Sequence, residues 1–262
     1  MQTKLIIVEG LPSSGKSTAA KFAAGVTGGK CFDEDCGNHP ADYEFHSFLS
    51  ENVLKEFSDC EQKIILSNAF KKAGVYAVPL TAVKGELFDK LLQYKIYDFL
   101  DWETERRVML DKWKEFAEIY SGGIYVFNCV LMQNPMCETM MRFNFDSVVS
   151  KEYINEICEI VKPLSPVVIY LKNDDIESSI RSAVKERGQE WLDAVIDYHC
   201  NGGYGKSNGL KGLNGYIKAL EECQKRELKI LESLPVKRLI LDNPQRDWNK
   251  SYAVLTEFFK EC

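Results

Sequence analysis

Eight consecutive residues carry the strongest chemical signal in the chain: Gly10-Leu-Pro-Ser-Ser-Gly15-Lys16-Ser17, a full G-x-x-x-x-G-K-[ST] pattern. Its glycines let successive backbone N–H groups turn inward toward phosphate oxygens, with Pro12, Ser13, Ser14 and Thr18 in the same stretch. Lys16 supplies a mobile positive charge for the β- and γ-phosphates of a nucleotide, and the Ser17 hydroxyl is placed to ligate Mg²⁺. Upstream, Leu5 to Val8 read as a fully buried parallel strand. Downstream, an alanine-rich stretch reads as a helix whose N-terminus adds partial positive charge. Strand, glycine loop and helix together are the frame this motif requires.

These residues need a scaffold. Apolar runs starting near residues 4, 29, 123, 166 and 236 read as strands, each followed by a helical pattern. The class expected is α/β, with a five-stranded parallel sheet flanked by helices. Residues 41–120 read as successive helical stretches with no second run of strands. Residues 36–122 are therefore expected to form a helical insertion on the substrate side of a single domain spanning 1–262.

Ligands of an open parallel sheet bind beyond the carboxyl ends of its strands, which selects further residues. Asp33, Glu34 and Asp35 follow the second strand, with His39 and Tyr43 beyond them as candidates to line an acceptor pocket. The third strand runs through the apolar stretch Ile124–Met132, broken by one amide, Asn128. Gln133 and Arg142 come after it on the acceptor side, and no carboxylate occurs before Glu138. An amide there either hydrogen-bonds a metal-bound water or pairs with neighbouring backbone, since buried amides rarely go unsatisfied. The helix after the fourth strand carries Arg181, Lys185 and Arg187, and Glu177–Arg181 also has the spacing of a surface ion pair. The stretch CNGGYGKSNGLKG at 200–212 reads as a mobile loop. Its internal GYGKS lacks the length of a second phosphate loop.

Bulk properties exclude some partners. Net charge is −6, against a broad nucleic-acid-binding face. No apolar span has the length of a membrane helix, and the N-terminal run is too short for a signal peptide. Nine cysteines lie outside any zinc-type spacing, most in apolar surroundings that suit reduced, buried thiols. A cytoplasmic protein is expected.

The stretch IIVEGLPSSGKST resembles the opening of thymidylate kinases and deoxynucleoside kinases, in which a glutamate, here Glu9, precedes the first loop glycine. More broadly the chain resembles the P-loop small-molecule kinases of the nucleoside/nucleotide kinase-like family. That resemblance implies strand order 2-3-1-4-5, ATP and Mg²⁺ as cofactors, and a lid over 173–212 with Arg181 and Arg187 clamping the transferred phosphoryl group. It also implies a general-base carboxylate at Asp33 or Glu34, with Asp33 helping to organise the metal. By the same resemblance, Asn243, Pro244 and Gln245 cup the adenine, and Glu9 belongs near the acceptor. KNDD at 172–175 has the wrong order for a guanine-reading N-K-x-D segment, so GTP is not the expected nucleotide. The acidic-Arg-Ser element of deoxynucleoside kinases is replaced by NCVLMQNP. The function expected is an ATP- and Mg²⁺-dependent phosphotransferase acting on a nucleoside, nucleotide, sugar or antibiotic. The alternatives are an ATPase or switch module that signals to a protein partner, and a P-loop protein that binds nucleotide without turnover. Oligomeric state is left open, a homodimer included.

Overall fold

The computed structural model describes residues 2–262 except 35, 36, 73 and 98; the expectation for Asp35 falls outside the described residues. Two compact units are formed, one by Met1–Asp33 with Ser121–Cys262, the other by Glu34–Tyr120.

The first unit begins with β1 (Leu5–Gly10), α1 (Lys16–Thr27) and β2 (Lys30–Phe32). All six residues of β1 are buried: the apolar run Leu5–Val8, as a central parallel strand requires, and also Glu9 and Gly10. α1 closes at Gly28, whose left-handed conformation lets its N–H reach back to the Ala24 carbonyl.

The second unit differs from the sequence expectation, because it is not wholly helical. It contains β3 (His46–Leu49), α2 (Glu51–Leu54), α3 (Asp59–Asn68), β4 (Phe70–Lys72), β5 (Val75–Pro79), α4 (Glu86–Leu92) and α5 (Trp102–Ile119). The strands form an antiparallel sheet in the order β3-β5-β4. YEFHSFLSENVLKEF looks helical because Phe45, Phe48 and Leu49 fit both periodicities. Ser50 decides the outcome: it leaves the helix pattern, takes an extended conformation and accepts from the Val53 N–H as the cap of α2. Leu49, Leu54, Phe57, Ile65, Val78, Leu80, Leu87 and Leu91 make this unit's own core.

The chain then returns to the first unit with β6 (Tyr125–Asn128), α6 (Gln133–Met136) and a π-helical turn at Cys137–Arg142. There follow α7 (Ser147–Val161), β7 (Val167–Lys172), α8 (Ile176–Arg187), α9 (Gln189–Asn201), α10 (Gly203–Ser207), α11 (Gly212–Ser233), β8 (Lys237–Asp242) and α12 (Trp248–Lys260). β6 is shorter than the apolar run suggests. It stops at Asn128 because Cys129 takes a positive φ of 70° and turns the chain. GYGKS is helix α10 rather than a mobile loop. A Cβ on Gly202 or Gly203 would lie 2.5 Å from the carbonyl oxygen of Met141 or Arg142, so these glycines serve close backbone packing.

The five-stranded sheet is parallel throughout, in the order β2-β6-β1-β7-β8. Counted among this sheet's own strands in chain order, that is 2-3-1-4-5; three strands of the second unit intervene in the labels. Register sets what each face carries. Val8 is level with Asn128 and Ile169, so their side chains leave one face, where Ile6, Val8 and Ile169 pack with Ala19, Ala20 and Ala23 of α1 and Leu255 of α12. Glu9 is level with Tyr170, and these two leave the opposite face, toward α11.

Candidate functional site

The phosphate loop closes as its sequence demands. Gly10 has φ 141°, and a Cβ there would lie 2.6 Å from the Leu171 carbonyl oxygen; Gly15 has φ 93°, and its Cβ would strike the Trp248 ring at 2.6 Å. Only glycine satisfies both the conformation and the space. Lys16 is buried, and its Nζ donates to the Leu11 carbonyl at 2.8 Å across the loop. The hydroxyl oxygens of Ser13 and Ser14 are buried without a hydrogen-bond partner. Buried orphan hydroxyls are costly unless a ligand meets them, and an acceptor such as a phosphate oxygen has the chemistry to do so. Pro12 lies partly buried in the loop, while Ser17 and Thr18 are exposed on the first turn of α1.

At the end of β6, Asn128 is 1% exposed, yet its amide is fully engaged. Nδ2 donates to Ser17 Oγ at 3.2 Å and to Asp33 Oδ1 at 3.1 Å, and Oδ1 accepts from the Cys129 thiol at 3.1 Å. The other Asp33 oxygen lies 3.2 Å from Lys21 Nζ. Three sequence candidates from three elements thus converge on one corner, joined by the amide.

That corner has a donor set suited to Mg²⁺. A hydroxyl and a carboxylate are hard oxygen ligands, and Mg²⁺ is commonly bound through one or two carboxylates plus phosphates and water. No group of three or more His, Cys, Asp or Glu side chains that could hold a metal occurs among the described residues. Protein ligands alone would therefore not complete the shell.

Glu9 has a defined task in the turn after β6. It is 0% exposed and accepts the backbone N–H groups of Leu131 at 2.7 Å, Met132 at 3.1 Å and Gln133 at 3.2 Å. One carboxylate thus fixes the turn that follows β6 and leads into α6. Burial pushes its pKa up to about 7 against the pull of the Leu131 N–H, and the like charge of Glu227 adds to the rise. Gln133 ends that turn as the first residue of α6. Arg142 closes the π-helix, its Nη1 2.6 Å from the buried Glu138 carboxylate and its guanidinium 4.4 Å from the centre of the Phe143 ring. π-helical turns are uncommon and concentrate at functional sites.

On the other side of the loop, Ser14, Asn173, Ser179, Pro244, Gln245 and Arg246 line a cleft of about 180 Å³. Asn243, in a left-handed conformation, fastens the end of β8 to the turn after β7: its Oδ1 accepts from the Asp174 N–H at 2.9 Å and its Nδ2 donates to Asp174 Oδ2 at 2.8 Å. Gln245 donates from Nε2 to the Ser13 carbonyl, joining this turn to the phosphate loop. The three residues expected to cup a base therefore form one wall of the cleft or hold it in place.

Arg181 is exposed and paired with Glu177 at 2.6 Å, and Arg187 lies over the Trp191 ring at 5.1 Å. Glu34, His39 and Tyr43 belong to the second unit. Glu34 is exposed. His39 accepts the Ala41 N–H on Nδ1, and burial, helped by Lys112, lowers its pKa to about 3. Tyr43 is buried beneath the Lys112 ammonium, 4.8 Å from its ring centre. Sequence reasoning missed Tyr170, Glu227 and Trp248. Glu227 had a visible signal, because it falls four residues after Cys223 on the buried stripe of α11.

No family model matches the chain, and no curated protein matches it. Solved structures with similar folds include YorR protein from Bacillus subtilis in complex with phosphorylated GDP, with 12% identity, 99% of each chain covered and a TM-score of 0.47. Deoxyadenosine kinase from M. mycoides with bound dATP matches at 17% identity, 98% and 100% coverage and a TM-score of 0.44. Thymidylate kinase from Candida albicans matches at 12% identity, 97% and 94% coverage and a TM-score of 0.41. The chain's own coordinates show a five-stranded parallel α/β sheet with a phosphate-type loop after its central strand, and likenesses this distant carry no inference about activity. No helix among the described residues is long and apolar enough to cross a membrane.

Proposed function

We propose that the protein is an ATP- and Mg²⁺-dependent phosphotransferase acting on a small hydroxyl- or phosphate-bearing molecule. The observation that carries the reading is the convergence of Ser17, Asp33 and Asn128 beside a closed phosphate loop with a buried lysine.

Each part has a task. The loop N–H groups, the Ser13 and Ser14 hydroxyls and Lys16 hold the phosphates and stabilise charge on the oxygens of the transferred group. Ser17 and Asp33 would hold Mg²⁺, which when bound neutralises phosphate charge. Asn128 keeps Asp33 and Ser17 in register without adding charge of its own. Transfer breaks the bond from the γ-phosphorus to its bridging oxygen and forms one to an acceptor oxygen. Asp33 is the carboxylate available in this unit to take the acceptor's proton. The cleft beside Pro244 and Gln245 is sized for a ring such as a base, with the phosphates leading from it into the loop.

The test is ATP consumption against a panel of nucleosides, nucleotides, sugars and aminoglycosides, with Lys16→Ala as control. Stimulation by one acceptor class supports the reading. Hydrolysis that no acceptor stimulates, and that Lys16→Ala abolishes, points instead to an ATPase or switch.

A further inference from the structure

Behind the phosphate loop, on the α11 face of the sheet, lies a buried polar cluster that phosphoryl transfer does not use. Glu9 and Tyr170 leave the same face because they are level on adjacent parallel strands. Glu227 meets them from α11. Tyr170 Oη donates to Glu227 Oε2 at 2.5 Å, and the Cys223 thiol lies 3.6 Å from Oε1. The Glu9 and Glu227 carboxyls are 0% and 1% exposed, and Tyr170 is 0% exposed.

The two carboxyls are not equally provided for. Glu9 has three backbone N–H donors. The donors to Glu227 are a phenol and a thiol, both neutral, and the cation acting on it is Lys16. Arg226, next along α11, is engaged with Glu222 at 2.9 Å and with the Phe145 carbonyl. Cys137, from the π-helix, acts on the Cys223 thiol rather than on Glu227. Burial raises the Glu227 pKa to about 7, while Tyr170, Lys16 and Cys223 draw it down. Glu9 and Tyr170 each stand one residue before the paired Gly10 and Leu171 at the start of the phosphate loop, so Glu227, held by Tyr170, lies under the loop, where the Lys16 ammonium favours its charged form; an anion that claims the ammonium removes that support.

We propose that Glu227 is a proton-coupled positioning residue for the phosphate loop: as nucleotide phosphates claim the Lys16 ammonium, Glu227 takes up a proton from solvent. The inference rests on the nucleotide-binding reading above. The step adds one proton to one carboxylate oxygen and breaks no other bond. The Lys16 ammonium is then offset by phosphate, and the carboxyl left behind becomes neutral instead of remaining a buried charge without its cation. Tyr170 holds the Glu227 side chain in the orientation from which this exchange occurs.

The measurement is calorimetric titration of the full chain with ADP and Mg²⁺, in buffers of different ionisation enthalpy, between pH 5.5 and 8. Wild-type protein takes up a fraction of a proton, up to about one per site, at and just above pH 7. Uptake fades toward pH 5.5, where Glu227 already carries its proton. The nucleotide's own phosphates release protons on meeting cations, so uptake has the opposite sign to that background. Glu227→Gln binds ADP with the uptake gone. Tyr170→Phe, which removes a hydrogen bond to the charged form, keeps the uptake but moves its window to higher pH. Binding by wild type without uptake near pH 7, or undiminished uptake in Glu227→Gln, overturns the proposal. Absence of ADP binding at any pH overturns the nucleotide-binding reading on which it rests.

Discussion

Replacing Asn128 by aspartate tests the metal corner with a change of one atom type. In wild type the amide nitrogen donates to Asp33 Oδ1 at 3.1 Å. Aspartate puts a carboxylate oxygen there, and two unit charges 3.1 Å apart repel by about 5 kcal/mol at an effective dielectric constant of about 20. Escape by protonation at pH 7.5 has a similar cost, about 5 kcal/mol for an ordinary aspartate. Lys21 beside Asp33 and the partial exposure of Asp33 offset some of this, leaving roughly 3 kcal/mol. For a chain of this size the melting temperature should fall by roughly 5 °C in EDTA. The repulsion, and so the loss, should be largest at neutral and alkaline pH and should shrink in acid. Mg²⁺ with nucleotide should restore most of the loss, and Asn128→Asp should retain or raise phosphoryl transfer. Asn128→Ala, which removes the hydrogen bonds without adding charge, should be destabilised with no rescue by Mg²⁺ beyond wild type. Thermal unfolding with and without Mg²⁺ reads all of this. A melting temperature for Asn128→Asp that is insensitive to Mg²⁺ would refute the placement of the cation beside Asn128.

Three other predictions use different parts of the structure. The pKa values of Glu9 and Glu227 are raised to about 7, so their contribution to stability is fully present below about pH 4.5 and lost as pH rises through 7. Glu227→Gln should flatten the decline in chemical-denaturation stability between pH 5 and 8 by on the order of 3 kcal/mol, and an unchanged slope would contradict it. Arg181→Ala should change stability by less than about 0.5 kcal/mol, since its ion pair with Glu177 is exposed; a drop in kcat of about tenfold or more would instead show that Arg181 reaches the transferred group. Gly205→Ala should destabilise by about 2 kcal/mol or more in urea titrations, because its Cβ would collide with the carbonyls of His199 and Cys200; wild-type stability would mean that 203–207 is a loop after all.

The sequence revealed most about the parts whose chemistry is local. Gly10, Gly15, Lys16 and Ser17 announce the phosphate loop because a motif of contiguous residues needs no knowledge of distant partners. The five parallel strands were readable for a similar reason, since burial on both faces makes each a short apolar run. The antiparallel sheet of the second unit was not: His46–Leu49 finds its partner Val75–Pro79 only across 27 to 33 residues, and Phe70–Lys72, though just 3 to 7 residues from its partners, is too short to show an alternating pattern. Asn128 showed itself as an amide in an apolar run, yet its bridging of Ser17 and Asp33 depends on which face of β6 it occupies. That was settled by register with Val8. Glu9 was visible as the residue before Gly10, but its hold on the turn at residues 131–133 was not, because those contacts lie more than 120 residues away in sequence.

The central claim is that the Lys16 loop and the Ser17–Asp33–Asn128 corner serve transfer of a phosphoryl group to a small acceptor. Its most direct test follows the γ-phosphoryl group of labelled ATP into product, with Mg²⁺ and each acceptor class in turn, for wild type and Lys16→Ala. The account predicts one labelled product formed in equal amount to ADP, and a loss of more than about 100-fold in Lys16→Ala. Label found only as inorganic phosphate, whatever the acceptor, would contradict it.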